Sequence, residues 1–246
     1  MRESERPYDA TYRSWYGKGA AQYDERFQGD FARLQAEFIV DLLQPQAGMR
    51  ILDVGAGTGR ASLPLAAAAP EAVVVAADLT PAMLQRAVEK RDAEGMAFPA
   101  PVCANGRSLP FADGTFDAVV SIRVLHLFPT PHLGAFVDEM RRVLKPGGTL
   151  LVEFNSPFAG FGWALGREVW RRVRFGRKPR HYLWPQHVDA LFGGMQERTV
   201  YGFWVPGIGR LARANPRLNG ALRLARLRPP FSYLGDKILV RARKAE

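Results

Sequence analysis

The sequence predicts an α/β protein in which a mostly parallel sheet is covered on both faces by helices. Three observations carry this expectation. Short β-branched runs alternate with stretches of helical apolar periodicity through the first 156 residues, a glycine-rich loop follows the first run, and an aspartate closes the second. Alternating strands and helices imply right-handed βαβ crossovers, and a parallel sheet binds its ligands at the carboxyl ends of the strands.

Taken in order, Phe31–Leu43 (FARLQAEFIVDLL) spaces its apolar residues helically and stops before Gln44-Pro45. Ile51–Val54 is a short buried strand. Ala61–Ala69, beyond the glycines, is a helix ended by Pro70, and Ala72–Ala77 is a second strand closed by Asp78. Thr80 fits the N-cap of the next helix and Pro81 its first turn, where the missing N–H costs nothing. Pro101–Ala104 is a short third strand, Phe116–Ile122 a fourth and Leu133–Leu144 a helix. A fifth strand, Thr149–Phe154, follows a turn at Lys145-Pro146-Gly147-Gly148. Glu197–Val205 and Asp236–Lys244 read as two late strands.

Composition narrows the function classes. The chain of 246 residues is 47% hydrophobic, enough for a sizeable core. No apolar run reaches the roughly 18 residues a membrane span needs, and the start is charged, so a cytoplasmic protein is expected. A single cysteine, Cys103, excludes an internal disulfide, and four scattered histidines lack ligand spacing, so no metal is expected. The net charge of +10 is unevenly placed: residues 1–156 carry 16 Lys+Arg against 19 Asp+Glu, whereas residues 157–246 carry 18 against 5. Such asymmetry concerns association and not fold.

In ILDVGAGTGR, Gly55, Gly57 and Gly59 follow the first strand, at the site where an open parallel sheet receives ligands. A dinucleotide loop reads G-x-G-x-x-G, yet Arg60 stands where its third glycine belongs. A ligand with a nucleoside and an amino-acid tail but no pyrophosphate, such as S-adenosylmethionine, suits that loop better. Asp78 lies 21 residues past Gly57 at the end of the second strand, where a carboxylate accepts both hydroxyl hydrogens of a ribose. Asp53, at the end of the first strand, is placed to face the ammonium of the methionine part.

On these residues the chain resembles the class I S-adenosylmethionine-dependent methyltransferases of the type 11 group, which includes ubiquinone- and menaquinone-pathway small-molecule methyltransferases. ILDVGAGTGR is similar to the first motif of the family and AADLTPAML to its second. LPFADGTFDAVVSIRVLH resembles the fourth-strand region, MRRVLKPGGTLLV the fifth, and AQYDERF the segment that caps the cofactor. The resemblance covers about residues 15–156. It implies a Rossmann-like three-layer αβα sandwich with a seven-stranded, mostly parallel sheet whose last strand is antiparallel. It also implies a single domain over 1–246: cap helices in 1–48, a cofactor core in 49–156, and basic lid insertions with the last two strands in 157–246.

The resemblance further implies that Asp53, Gly55, Ala56 and Gly57 hold the methionine end of S-adenosyl-L-methionine and Asp78 its ribose. Leu79 and Met83 flank the adenine, and Tyr16 and Tyr23 close over it. Asn105, with Gly106 beside it, stands where the family commonly has an acid for the adenine amino group; an amide carbonyl still accepts that bond. The product is S-adenosyl-L-homocysteine.

On the acceptor side, His126 is the candidate base because neutral imidazole takes a proton near physiological pH, and Arg123 is the candidate for attracting an anionic acceptor or contacting the cofactor. NSPF (Asn155–Phe158) resembles the N-P-P-F box of adenine-N6 methyltransferases but follows the wrong strand and lacks a proline. No neighbouring sequence signal would activate Cys103 as a nucleophile, so it reads as a packing residue. Residues 157–188 and 203–235 contain one acidic side chain, Glu168, among many arginines and aromatics. Trp163, Trp170 and Val173 fall on one helical face there, and Arg167, Arg171 and Arg174 on another. That pattern suits an anionic membrane surface, an acidic carrier protein or an ordinary lid. The leading expectation is methyl transfer to a small acceptor, lipophilic or anionic. The alternatives are an RNA-modifying methyltransferase, for which no RNA-binding module is recognised, a nicotinamide-dependent oxidoreductase, and a non-catalytic nucleotide-binding protein.

Overall fold

The computed structural model describes residues 13–14, 16–17, 19–20, 22–24, 29–97, 101–158, 181–203, 226–227 and 231–246. Its strands are β1 Arg50–Val54, β2 Val73–Asp78, β3 Val102–Cys103, β4 Phe116–Ser121, β5 Leu144–Asn155, β6 Met195–Phe203, β7 Arg226–Leu227 and β8 Lys237–Lys244. They form one sheet in the order β3-β2-β1-β4-β5-β8-β6-β7. β1 to β5 pair in parallel, and β8 enters antiparallel between β5 and β6. The seven expected strands are therefore present, with the expected antiparallel last strand. The eighth, β7, pairs with the end of β6 over two residues, too short a run to leave a period in the sequence.

The helices are α1 Asp30–Leu43, α2 Ser62–Ala68, α3 Pro81–Ala93, α4 Leu133–Val143 and α5 Pro185–Leu191. Both faces of the sheet are apolar because successive strand residues point to opposite sides and both sides are covered. On one face Ile51, Val74, Ala118, Val120 and Leu151 pack beneath α1 and α2 through Leu34, Phe38, Ile39 and Leu65. Leu84 of α3 reaches Ala76 on that same side. On the other, Leu52, Val54, Val119, Leu150 and Val152 meet Phe136, Val137 and Met140 of α4 and Val188 of α5. Each of the large buried side chains contributes about 1.5–3 kcal/mol, so the sandwich is held chiefly by these two layers.

Three local expectations change. Lys145–Gly148 is not a free turn before β5: the strand begins at Leu144 and bulges, since Phe116 pairs with Leu144 but Ala118 with Thr149. Gly147, at φ +70°, supplies the bend. Thr80 occupies the N-cap of α3, yet its side chain makes no capping bond. α5, opened by Pro185 in its first turn, was not read from the sequence, because only its Val188 is fully buried and no apolar stripe marks it. The expected basic helix around Trp163–Arg174 and most of 203–235 lie outside the described residues. No described helix is long and apolar enough to cross a membrane, and no described cluster of His, Cys, Asp or Glu has metal-site geometry.

Candidate active site

The winding of the sheet reverses between β1 and β4, and the loops leaving β1, β2 and β4 meet there. Hydrogen bonds lock the three strand ends together. The N–H groups of Gly55 and Ala56 donate to the Ala77 carbonyl at 2.7 and 3.0 Å. The Ser121 hydroxyl donates to the Val54 carbonyl at 2.8 Å. Gly55, Gly57 and Gly59 all have positive φ, so the loop folds back on itself above the sheet.

Asp78 then organises that loop. Its Oδ2 accepts the Gly57 N–H at 2.8 Å, and its Oδ1 accepts the Thr80 N–H, also at 2.8 Å. The Thr80 side chain turns to Asp78 instead of capping α3, and the Met83 N–H is met by the Thr80 carbonyl at 3.0 Å. Burial raises the Asp78 pKa, with the Thr80 and Gly57 hydrogen bonds opposing. A carboxylate offers about four acceptor positions. The two amides and the Thr80 side chain engage three of them, which leaves room for a ribose hydroxyl.

A cleft of ≈ 860 Å³, its open mouth included, lies above these strand ends. Gly55, Ala56 and Gly57 line it from the loop, Asp78, Leu79 and Met83 from β2 and α3, and Asn105 and Gly106 from beyond β3. Tyr16, Tyr23 and Arg123 complete the set that sequence reading placed together. Tyr16 and Tyr23 meet edge to face with ring centres 6.0 Å apart. Asn105 Oδ1 accepts the Arg107 N–H at 3.0 Å, and the Arg107 guanidinium stands 5.8 Å from the Phe136 ring, on the cleft wall.

Two expected residues are not brought to the cleft. Asp53, 2% exposed, sits beneath the loop, and its Oδ2 accepts the N–H of Ser62, the first residue of α2, at 3.0 Å. It caps a helix from a neighbouring strand. His126 lies in the short 3₁₀ turn Leu125–Leu127; only Leu127 of that turn lines the cleft. The NSPF segment is also elsewhere: Asn155 Nδ2 donates to the His181 carbonyl at 3.0 Å and accepts at Oδ1 from Lys237, tying down the end of β5. Cys103 is exposed.

The fate of Asp53 has a measurable consequence. Burial, the dominant cause, raises its pKa from 3.8 to about 7, although Ser62 opposes the shift. The folded protein thus keeps a proton that the unfolded chain releases near pH 3.8. The resulting stability is complete below that pH and is lost as pH rises through 7. Asp53→Asn stays neutral and retains an oxygen for Ser62. Its stability advantage over wild type in urea unfolding is expected to grow between pH 4 and 7, reaching up to about 4 kcal/mol. A pH-independent difference would refute this account.

Several residues at the site escaped sequence reading. Asp24 accepts the Thr58 hydroxyl at 2.7 Å and pairs with Lys90 of α3 at 3.0 Å, while Arg13 Nε donates to the Leu79 carbonyl at 3.2 Å. The N-terminal segment is thereby fastened to both the glycine loop and α3. Asp24 stands inside AQYDERF, so its place was marked although its bonds were not. Arg60 lines the cleft, and Val124, Leu127, Phe128 and Phe136 form its apolar wall. Glu153, 0% exposed on β5, was signalled only by being the one acid within TLLVEF.

With this geometry in place, similarities to known proteins become informative. Residues 51–148 match the family described as "Methyltransferase domain". The chain is 40% identical over 135 residues to a demethylmenaquinone methyltransferase of Thermus thermophilus, covering 54% of this chain and 60% of the relative. It is 34% identical over 155 residues to a ubiquinone/menaquinone biosynthesis C-methyltransferase of Cereibacter sphaeroides, covering 60% of this chain and 61% of that one. The chain spans about half to three fifths of the length of the curated relatives it matches. The magnesium protoporphyrin IX methyltransferase of Synechocystis, solved with bound S-adenosylhomocysteine, superposes with a TM-score of 0.65 at 16% identity, over 97% of this chain and 100% of that one. That likeness is one of fold.

Proposed function

We propose that this protein transfers a methyl group from S-adenosylmethionine to a small-molecule acceptor: residues 51–148 match the methyltransferase-domain family, and the fold is shared with a solved methyltransferase. The observation that carries the reading is Asp78, held by the Gly57 and Thr80 amides at the cleft wall with an acceptor position to spare. A Cβ on Gly57 would make only ordinary contact, 3.4 Å from Met83 Cε, so it is the φ of +56° that calls for glycine beside Asp78. The RNA-modifying and nicotinamide alternatives are not favoured by the relatives or by the solved neighbours.

When bound, the cofactor supplies a methyl group on a sulfonium, which leaves in an in-line displacement. The protein therefore has to align the acceptor and exclude water rather than activate a leaving group. Asp78 orients the ribose, Asn105 and Gly106 meet the adenine edge, and Leu79 and Met83 pack its faces. Tyr16 and Tyr23 cover the cleft from the N-terminal segment, and the wall of Val124, Leu127, Phe128 and Phe136 keeps the acceptor side dry. Titration of the purified chain by calorimetry should show heat with S-adenosylhomocysteine and none with NADH. The opposite pattern would overturn the reading.

The N-terminal fastening predicts a kinetic effect. Asp24→Ala removes the Thr58 bond and the half-exposed Lys90 pair, so it should weaken cofactor binding by roughly 3- to 10-fold, mainly through faster release. Stopped-flow displacement checks this; an unchanged dissociation rate would leave the segment without that role.

We further infer a lipophilic acceptor met at an anionic membrane surface. Support comes from the quinone-pathway relatives, from the arginine-rich composition of 157–188 and 203–235, and from the exposed Phe158, Trp184 and Phe231 at the edges of those stretches. Co-sedimentation should increase with the fraction of anionic lipid in vesicles and fall with salt. Equal partition to zwitterionic vesicles would exclude it.

A further inference from the structure

Two guanidinium groups stand together at one end of the cleft. Arg60 follows the glycine loop, Arg123 follows β4, and both line the wall. Burial, and then the charge of Arg123, hold the Arg60 pKa below its ordinary value. On β5, Glu153 is fully buried, with Gln35 donating to its Oε2. Burial raises the Glu153 pKa, and Lys237, Arg123 and Arg60 oppose that rise. The backbone adds an independent sign. Arg123 has φ 63°, a left-handed conformation unusual for a side-chain-bearing residue, and such conformations persist where a site requires them.

The order of the sheet says which part of a ligand this corner meets. Asp78 and Asn105 mark the nucleoside end, on the β2 and β3 side of β1. Arg123, just past the end of β4, lies on the other side of β1, and Arg60, beyond the glycine loop, is near enough for the two charges to oppose each other. A pair of guanidinium forks matches the planar oxygens of a carboxylate better than any neutral group.

Building on the methyltransferase reading, we propose that Arg60 and Arg123 form a carboxylate site for the methyl acceptor. A carboxylate at this corner has two sources, the acceptor and the methionine part of the cofactor. The test separates them.

Calorimetry on the full chain, with and without saturating S-adenosylhomocysteine, compares the shape-matched probes 4-hydroxybenzoate and 4-hydroxybenzamide, and decanoate and decanamide. The acid of at least one pair should bind about tenfold or more tightly than its amide, the size expected of a charge-assisted contact. Arg60→Met and Arg123→Met should each reduce that preference to threefold or less, as an order-of-magnitude expectation, while leaving affinity for S-adenosylhomocysteine nearly unchanged. Arg123→Gly relieves the backbone conformation and removes the charge; it should lose the preference without lowering the thermal midpoint, which separates charge from misfolding.

Equal binding of acid and amide in every pair overturns the proposal, as does a preference that survives both Met variants. So does a tenfold loss of S-adenosylhomocysteine affinity in Arg123→Met with 5′-methylthioadenosine unaffected, since that assigns the guanidiniums to the carboxylate of the cofactor itself. If S-adenosylhomocysteine does not bind wild type at all, the methyltransferase reading fails separately, and the titrations without it still decide the carboxylate preference.

Discussion

Asp78→Ala is expected to reduce affinity for S-adenosylmethionine by roughly 10²- to 10⁴-fold. Each hydrogen bond from a ribose hydroxyl to a carboxylate contributes about 1.5–3 kcal/mol. The substitution also frees the Gly57 and Thr80 amides, each now held at 2.8 Å, so the loop loses the group that shapes it. Calorimetry measures the binding loss, and urea unfolding of the same variant measures the stability cost. Binding must fall well beyond what the unfolded fraction explains. Asp78→Asn keeps one acceptor oxygen but puts an NH₂ opposite a donor, and should lie between the two. Acidification supplies a second route to the same effect. Burial raises the Asp78 pKa above 3.8, so affinity should fail on lowering the pH before an ordinary carboxylate would protonate. Unaltered affinity in Asp78→Ala would remove this site from the protein.

What could be read in the sequence was what local spacing controls. The β1 loop, Asp78 and the two late strands carry their own periodicity or punctuation, and each stands where it was expected. Missed, or in the case of Asp53 turned the wrong way, were residues whose surroundings depend on the folded backbone or on partners far along the chain. Asp53 sits in the first motif, but whether its carboxylate faces the cleft or the start of α2 depends on a backbone that turns over it. Arg60 was noticed only as an absent glycine, although it lines the cleft beside Arg123. Glu153 meets Gln35, 118 residues away, a separation no window of sequence registers. β7 and α5 are too short for a hydrophobic period to accumulate. Side-chain chemistry was therefore legible, whereas side-chain direction was not.

Gly55→Ala is expected to be the most damaging single-methyl addition in the loop. At Gly55, φ is +75°, and a Cβ would stand 2.2 Å from Val124 Cγ2 and 3.1 Å from its Cγ1. No rotamer change of the new methyl exists to escape that contact. The left-handed backbone adds about 1–2 kcal/mol for an L-residue, and the overpacking about 1–3 kcal/mol. Thermal or urea unfolding should accordingly show a loss of about 2–5 kcal/mol, with cofactor binding lost as the loop shifts off Ala77. Gly57→Ala provides the contrast: φ is +56° and the nearest atom, Met83 Cε, is 3.4 Å away at the end of a flexible side chain. It should lose only the backbone share, about 1–2 kcal/mol, without the overpacking. Because the Gly55 collision is with one residue, it is also repairable. Val124→Ala deletes both γ carbons, and the Gly55→Ala/Val124→Ala pair should recover about 1–3 kcal/mol relative to the sum of the single losses. Recovery stays partial, since the Val124 Cβ itself would lie 3.2 Å from the new methyl. Strict additivity of the two substitutions would mean that Val124 does not press on Gly55, and that the close approach of the β1 and β4 loops is not what requires glycine there.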